Sequence, residues 1–441
     1  MREVLVKNEE FKDSAIGRIP KDWEVKTLRE LSVSGISNGF FKKPELVGSG
    51  YPLVNVFDLY QDFGIDLSLV ERVNATEKEQ SKYAIQPGDC FFTRSSLVLS
   101  GIAHCNIIRS LPEAALFECH LMRVRPDKNK VIPEFLALWC RSSWAKKFLM
   151  SRAKQVTMTT ISQPDIAPLP VPLPSKKEQE GIAEILDTVD DTIARTSSLI
   201  IKLKQTKAGL LQDLLTRGLD DDGKLRDPQA HPEQFKDSAL GQIPKDWEVK
   251  PLSELADVDR GKFTHRPRND PRFYDGSYPF IQTGDITKVT GGILTTYSQT
   301  LNKRGITVSC EFPINTIAIT IAANIADTAI LGIPMFFPDS VVGAVVKAPN
   351  SVRYIELCIR CAKQQLDARA PQSAQKNINL EDLRPLLIIV PEPTEQYKIA
   401  QIYEEHNTRI RTEEAYLKKL KLQKQGLMQD LLTGKVRVKN L

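Results

Sequence analysis

Hydrophobic positions in this chain fall into three patterns, and the three come in the same order twice. Short apolar runs bounded by turn residues come first. They are Tyr51–Val56, Cys90–Thr93, Ile102–Ile108 and His120–Val124 in one half, and Tyr278–Gln282, Thr316–Ile321, Thr328–Leu331 and Val341–Lys347 in the other. Runs of this length predict strands. Helix-period stretches follow: Pro133–Arg152 opens with proline in the first turn, and Ser351–Ala368 opens with a serine cap. A proline cluster, 164–174 or 385–393, then leads into apolar residues spaced alternately by three and four. In the first half these are Ile182, Ile185, Val189, Thr192, Thr196, Leu199, Leu203, Thr206 and Leu210, with a flanking stripe of Leu186, Ile193, Ile200 and Leu214. In the second they are Ile399, Ile402, His406, Tyr416, Leu420 and Leu427, flanked by Tyr403, Ile410, Leu417 and Leu431. This heptad with a widened apolar face predicts helices over 177–216 and 394–433. Each spans about 60 Å at 1.5 Å per residue, too long to serve one small domain. The natural partner for each is the other.

The repetition reaches residue identity. Residues 13–31 read DSAIGRIPKDWEVKTLREL and residues 237–255 read DSALGQIPKDWEVKPLSEL. GLLQDLLT at 209–216 returns as GLMQDLLT at 426–433, and Glu178-Gln179 returns as Glu395-Gln396. Tyr51-Pro52 with Asp58 returns as Tyr278-Pro279 with Asp285. A period of roughly 220 residues is a duplicated module, not a solenoid unit. Two such modules predict a pseudo-twofold object suited to a two-part ligand. The segments read as a domain over 1–173, a long helix over 174–217, a second domain over 218–390 behind a polar linker at 218–236, and a second long helix over 391–441. Trp23 and Trp247 lie in the most repeated stretch and read as core anchors.

An apolar fraction of 41% over 441 residues supplies real cores and excludes a disordered chain. No apolar run reaches 18 residues, and MREVLVKNEEFKDS has no stretch of signal-peptide length, so a cytoplasmic protein is expected. Seven scattered cysteines fit reduced, buried thiols better than a disulfide framework. A net charge of +5 permits nucleic-acid binding without requiring it.

No catalytic signature is present. The chain lacks a G-x-x-x-x-G-K-[ST] loop, a G-x-G-x-x-G opening a helix and a G-x-S-x-G elbow. The five histidines do not cluster with cysteines at zinc spacing, and Cys358 and Cys361 lie in a predicted helix without a second pair, as core thiols. No catalytic residue, metal or cofactor is therefore expected on this chain. What remains is polar loop material at matching stations. In the first half it comprises Asn38, Phe40, Lys42 and Lys43, then Arg94 and Ser95, then Lys154, Thr157 and Thr159. The counterparts are Lys262, Thr264, His265, Arg266 and Arg268, then Asn324, then Gln372, Gln375 and Lys376. Basic residues interleaved with aromatics and small polar ones suit phosphates and base edges. Scaffold residues repeat and tip residues differ, as a duplicated reader of two different words would require.

With these residues in place the chain resembles the specificity subunits of type I restriction–modification systems. The resemblance is carried by the DS-x-x-G-x-IPKDWEVKxLxEL stretches, the Tyr51–Asp58 and Tyr278–Asp285 elements, and the Ile161–Pro174 and Ile378–Pro393 exits. The helices that start near Glu178 and Glu395 and end in LLQDLLT and LMQDLLT complete it. It implies an α/β (α+β) fold of two target recognition domains joined by two long antiparallel coiled-coil helices. Each domain would read one half of a split DNA site, and the helices would fix the spacer. It also implies two modification (methyltransferase) subunits and restriction subunits as partners on double-stranded DNA. S-adenosylmethionine, ATP and Mg would belong to those partners. The modification subunits would dock on exposed helix faces near Lys202, Lys204 and Lys207. One departure is Pro313-Ile314-Asn315, where the first half has Pro87-Gly88-Asp89. Two other readings stay open: a coiled-coil scaffold without DNA readout, separated by salt-dependent DNA retention, and a fused methyltransferase or nuclease, separated by cofactor binding to the isolated chain.

Overall fold

The computed structural model describes residues 5–7, 10–41, 43–155, 157–322, 324–369 and 377–438. Contacts divide the chain into two units, residues 1–199 with 413–441 and residues 200–412. Each unit holds one of the repeated modules. The long helices are Lys176–Thr216 and Pro393–Leu432, of 41 and 40 residues, and each runs from one unit into the other.

In the first unit an antiparallel sheet takes the order Cys105–Ile107, Cys90–Thr93, Leu121–Pro126, Ser32–Asn38. The strand Cys90–Thr93 is buried along its length and sits centrally, as its unbroken apolar run predicts. A second sheet orders Leu116–Phe117, Val47–Val54 and Arg72–Val73. The second unit repeats the scheme with more strands. Ala256–Arg260, Val341–Val346, Ile317–Thr320, Thr328–Leu331 and Ile293–Leu294 form one sheet. Gln299–Leu301, Tyr274–Phe280, Met335–Phe337 and Cys310–Phe312 form the other. The predicted helix over 133–152 is two helices, Pro133–Cys140 and Ser143–Met150, because the Ser142 hydroxyl caps the second by accepting from Ala145 N at 3.2 Å. The stretch from Ser351 likewise breaks, into Val352–Cys361 and Lys363–Arg369.

The repeated tryptophans anchor each module to a long helix. Trp23 and Trp247 are fully buried. Trp23 Nε1 donates to Glu178 at 3.2 Å, and Trp247 Nε1 donates to Glu395 at 2.9 Å. Each glutamate also receives an arginine. Arg437 donates twice to Glu178, at 2.6 and 2.7 Å, and twice to Asp22, at 2.8 and 2.6 Å. Arg226 donates to Glu395 at 3.0 Å and to Asp246 at 3.3 Å. Their guanidiniums face the Trp23 and Trp247 rings at 5.6 and 5.7 Å. Both long helices stop at a glycine of positive φ, Gly218 at 64° and Gly434 at 70°, which turns the chain back onto this cluster.

Within each unit the helix portions run side by side in opposite directions. In the first, Lys424 pairs with Asp190 at 2.5 Å while Arg437 meets Glu178. In the second, Lys207 donates to Asn407 at 2.7 Å while Leu219 N meets Glu395 at 2.6 Å. The flanking stripe supplies much of the contact: Leu186, Ile200, Leu214, Tyr403, Ile410 and Leu431 are buried. Tyr416, expected in the seam, is instead 45% exposed, and Cys361, expected in the core, is exposed. Lys207, expected on a free face, is engaged with Asn407 and the Tyr403 ring. No helix among the described residues is long and apolar enough to cross a membrane.

Candidate nucleic-acid interface

The frame that carries the tips is duplicated at its root. Arg94 O accepts from Ile161 N at 3.0 Å, and Ile321 O accepts from Ile378 N at 3.0 Å. Two tip segments far apart in sequence are thus tied together at the same station in each unit. In the first unit they complete a small ladder in which Thr159 and Thr160 pair with Ser96 and Ser95, and Lys154 and Gln155 with Thr160 and Thr159. Arg94, Lys154 and Thr157 are exposed around it, and Ser95 is half-buried. Thr159 is 1% exposed, so it lies beneath the surface and offers a base nothing. In the second unit Asn324 is exposed and donates to Thr287 Oγ1 at 3.3 Å. Gln372, Gln375 and Lys376 lie outside the described residues.

The third tip follows the first strand of each main sheet. Phe40 N donates to Phe117 O at 2.7 Å, and Lys262 N donates to Phe337 O at 3.1 Å, so Phe40 and Lys262 are equivalents. The preceding glycines, Gly39 and Gly261, pass so close to the next strand that a Cβ would overlap the Phe117 and Pro338 carbonyl oxygens. The register then decides which aromatic faces out. Phe40 is 2% exposed and packs with Leu53, Val73 and Leu116. It is core, which corrects its reading as a DNA contact. Its neighbour Phe41, in the same stretch, 37–43, but not among the expected contacts, is 70% exposed; only its place one residue further along the extended backbone distinguishes the two. In the second unit the order is reversed, with Lys262 exposed and Phe263 buried. Asn38 Oδ1 accepts from Gln163 Nε2 at 3.0 Å, which links this tip to the short helix Gln163–Ile166 that follows the ladder. Lys43 is exposed, and Lys42 lies outside the described residues.

Electrostatics separate the two units. Arg266 pairs with Asp339 at 3.0 Å, and Arg268 pairs with the same carboxylate. Both guanidiniums remain about half exposed, so one acid positions two cations without hiding them. Thr264 is exposed. His265 is turned inward by Asp270 at 3.0 Å and by the Phe273 ring at 4.3 Å, which leaves it mainly structural. Arg272 beside Asp270 holds that carboxyl below the usual range. In the first unit the corresponding turn carries Glu118, which accepts from the His120 ring and from His120 N.

Glu118, Cys119 and His120 also form the one group among the described residues whose potential metal-ligand atoms converge, within 4.8 Å. Contiguity, not a spaced motif, was the signal. Burial and the Glu118 carboxylate push the Cys119 thiol up to about 11, which disfavours the thiolate a metal would need. The second Pro-rich turn also resolves differently from its alignment by sequence. Gly88 N donates to Ile108 O at 2.7 Å and Asn315 N to Leu331 O at 2.9 Å, so Asn315 stands at the station of Gly88. Both have positive φ, 95° and 68°, and the backbone path is kept because asparagine tolerates that region.

The family described as type I restriction modification DNA specificity domain matches at residues 20–205 and 244–422. A protein of Methanocaldococcus jannaschii named as the specificity subunit of type I restriction enzyme MjaX is 27% identical over 436 residues, covering 98% of each chain. The S subunit of the type I restriction-modification system of M. genitalium superposes with a TM-score of 0.54 at 14% identity, covering 93% of this chain and 96% of that one. A chain from a structure on complex assembly and conformational transition of the type I R-M system superposes with a TM-score of 0.57 at 15% identity, covering 95% and 99%. At those identities the two structural likenesses speak for fold.

Proposed function

Because this chain belongs to the family of type I restriction-modification DNA specificity subunits, we propose that each of its two units reads one half of a split, asymmetric double-stranded DNA site. The observation that carries this reading is the pair of identical strand-to-tip bonds, Ile161 to Arg94 and Ile378 to Ile321, beneath tips whose residues differ. A repeated frame fixes position while unlike side chains meet unlike base edges. Arg94, Lys154, Arg266, Arg268 and Lys262 supply phosphate or base contacts, and Phe41 supplies a stacking face. Lys43 and Asn324 complete the two sets. The long helices hold the two readers at one spacing and carry modification subunits, two in number, with restriction subunits joining them. The chain itself transfers no methyl group and cuts nothing. S-adenosylmethionine, ATP and Mg are held by the partners, and the assembly works in the cytoplasm. A scaffold without DNA readout would have no use for cations kept exposed at the tips of both units.

The test exchanges residues 32–160 for the equivalent region of a relative, followed by methylation profiling of cells that carry the whole system. One half of the recognised word should change and the other half, with the spacer, should stay. A change in both halves, or in neither, would refute the two-reader account.

A further inference from the structure

The loop that joins Thr93 to Gly101 differs from its twin in one respect. Both loops are pinned at equivalent points. The Thr93 hydroxyl donates to Gly101 O at 2.8 Å and accepts from His104 N at 2.9 Å. The Thr320 hydroxyl donates to Asn324 O and accepts from Asp327 N at 3.0 Å. Seven residues, 94–100, lie between the first pair and three, 321–323, between the second. The extra length in the first unit carries Leu97-Val98-Leu99, whose side chains are 83%, 58% and 38% exposed. Leu97 is the most exposed large apolar side chain among the described residues. Met158, next to the Thr159–Ser96 pair of the same ladder, adds a fourth at 41%. Three adjacent apolar residues held in water gain nothing for an isolated unit.

The rim says what they meet. Arg94 stands at the root of the tip and Lys154 on the outer strand of the ladder, no Asp or Glu occurs in 94–101, and Asp165, the acid that follows the ladder, is turned to cap Ser162 N at 2.8 Å. The base of the loop is held by Tyr60, whose hydroxyl donates to Gly101 O at 2.9 Å, and by the Ile161–Arg94 bond. An apolar tip on a fixed base, with Arg94 and Lys154 exposed beside it, matches a polyanion with a stacked apolar interior. We propose that Leu97, Val98 and Leu99 form a wedge that enters between two base pairs of the half-site met by the first unit, while Arg94 and Lys154 hold the flanking phosphates. The inference rests on the reading that these tips face DNA. It adds that the first unit unstacks its half-site and the second does not, so part of the first half-word is chosen by how easily a step opens.

The experiment uses the complete assembly and a duplex carrying its methylated word, with 2-aminopurine placed at each step of the half-word in turn. Emission should rise at one step only. The triple variant Leu97→Ser/Val98→Ser/Leu99→Ser changes exposed positions alone. It should abolish that rise and weaken binding by about 10- to 100-fold, while the slope of affinity on salt stays within about one unit of wild type because the phosphate contacts remain. Retention of DNA by the wild type without a rise at any step would overturn the wedge and leave the two-reader account standing. A triple variant that binds and unstacks DNA normally would overturn it too, including the case where that variant loses a partner subunit and so marks the tip as a protein contact. Failure of the wild-type assembly to retain DNA would remove the underlying reading and the wedge together.

Discussion

Replacing Arg437 with methionine tests whether the Trp23 cluster fastens the first module to its helices. Arg437 and Glu178 side chains are 3% and 4% exposed and share two bonds of 2.6 and 2.7 Å. Without the guanidinium, Glu178 keeps only the Trp23 Nε1 and Val438 N donors, each at 3.2 Å. A buried carboxylate stripped of its cation costs about 3–5 kcal/mol. With a slope of about 2 kcal/mol per molar urea, the midpoint for the first unit should fall by roughly 1.5–2.5 M. Urea is uncharged and does not screen the pair in the wild type. Intrinsic fluorescence reports mainly this unit, since Trp23, Trp139 and Trp144 lie in it and only Trp247 lies in the other. The double variant Arg437→Met/Glu178→Met buries no charge and should recover all but about 1–2 kcal/mol, the residue being the orphaned Trp23 donor. Arg226→Met should cost less in the second unit, because Arg226 and Glu395 are 14% and 11% exposed. A fall below about 0.5 M in Arg437→Met, or additive single and double variants, would show that the cluster does not hold the unit together.

Two further expectations follow from local geometry and burial. Gly39→Ala and Gly261→Ala should each destabilise by about 2–4 kcal/mol, because the new methyl meets backbone that cannot yield, whereas Gly209→Ala and Gly426→Ala, with open space around them on exposed helix, should stabilise by about 0.5–1 kcal/mol; urea midpoints of the four variants check the contrast. Burial, then Arg141 and Lys146, depress His104 from 6.5 to about 4 in the folded state, so the unfolded chain takes up its proton first, stability is full above about pH 6.5 and is lost towards pH 4; His104→Gln should flatten the difference between urea midpoints at pH 7 and pH 5, and an unchanged difference would clear His104 of the effect.

Long apolar runs made the central strands legible: Cys90–Thr93 and Thr328–Leu331 lie where their composition puts them. The long helices were legible because a heptad sustained over 40 residues has no competing explanation. The ladder at 95–96, 154–155 and 159–160 was not, since two-residue polar strands leave no periodic trace. Phe40 and Phe41 are chemically alike, and only the strand's register sends one into the core. Arg226 and Arg437 perform one task, yet they stand ten and four residues beyond the threonines, Thr216 and Thr433, that close the repeated helix motif, so comparison of the two halves cannot align them. Asn315 replaces Gly88 one position from where the prolines would align it, because backbone conformation, not sequence spacing, is what the turn preserves.

The Arg437–Glu178 bond also bears on the order in which the protein is completed during synthesis. The second unit draws on one uninterrupted stretch, 200–412, and can close as soon as that stretch has left the ribosome. The first unit is begun earlier but waits for 413–438, because Leu431, Leu432 and Val438 belong to its core and Arg437 neutralises its buried glutamate. Until then it exposes an apolar seam and leaves Glu178 without its cation, which lies 259 residues downstream. The module made first is therefore finished last, and it is the one that a nascent-chain chaperone would have most reason to hold.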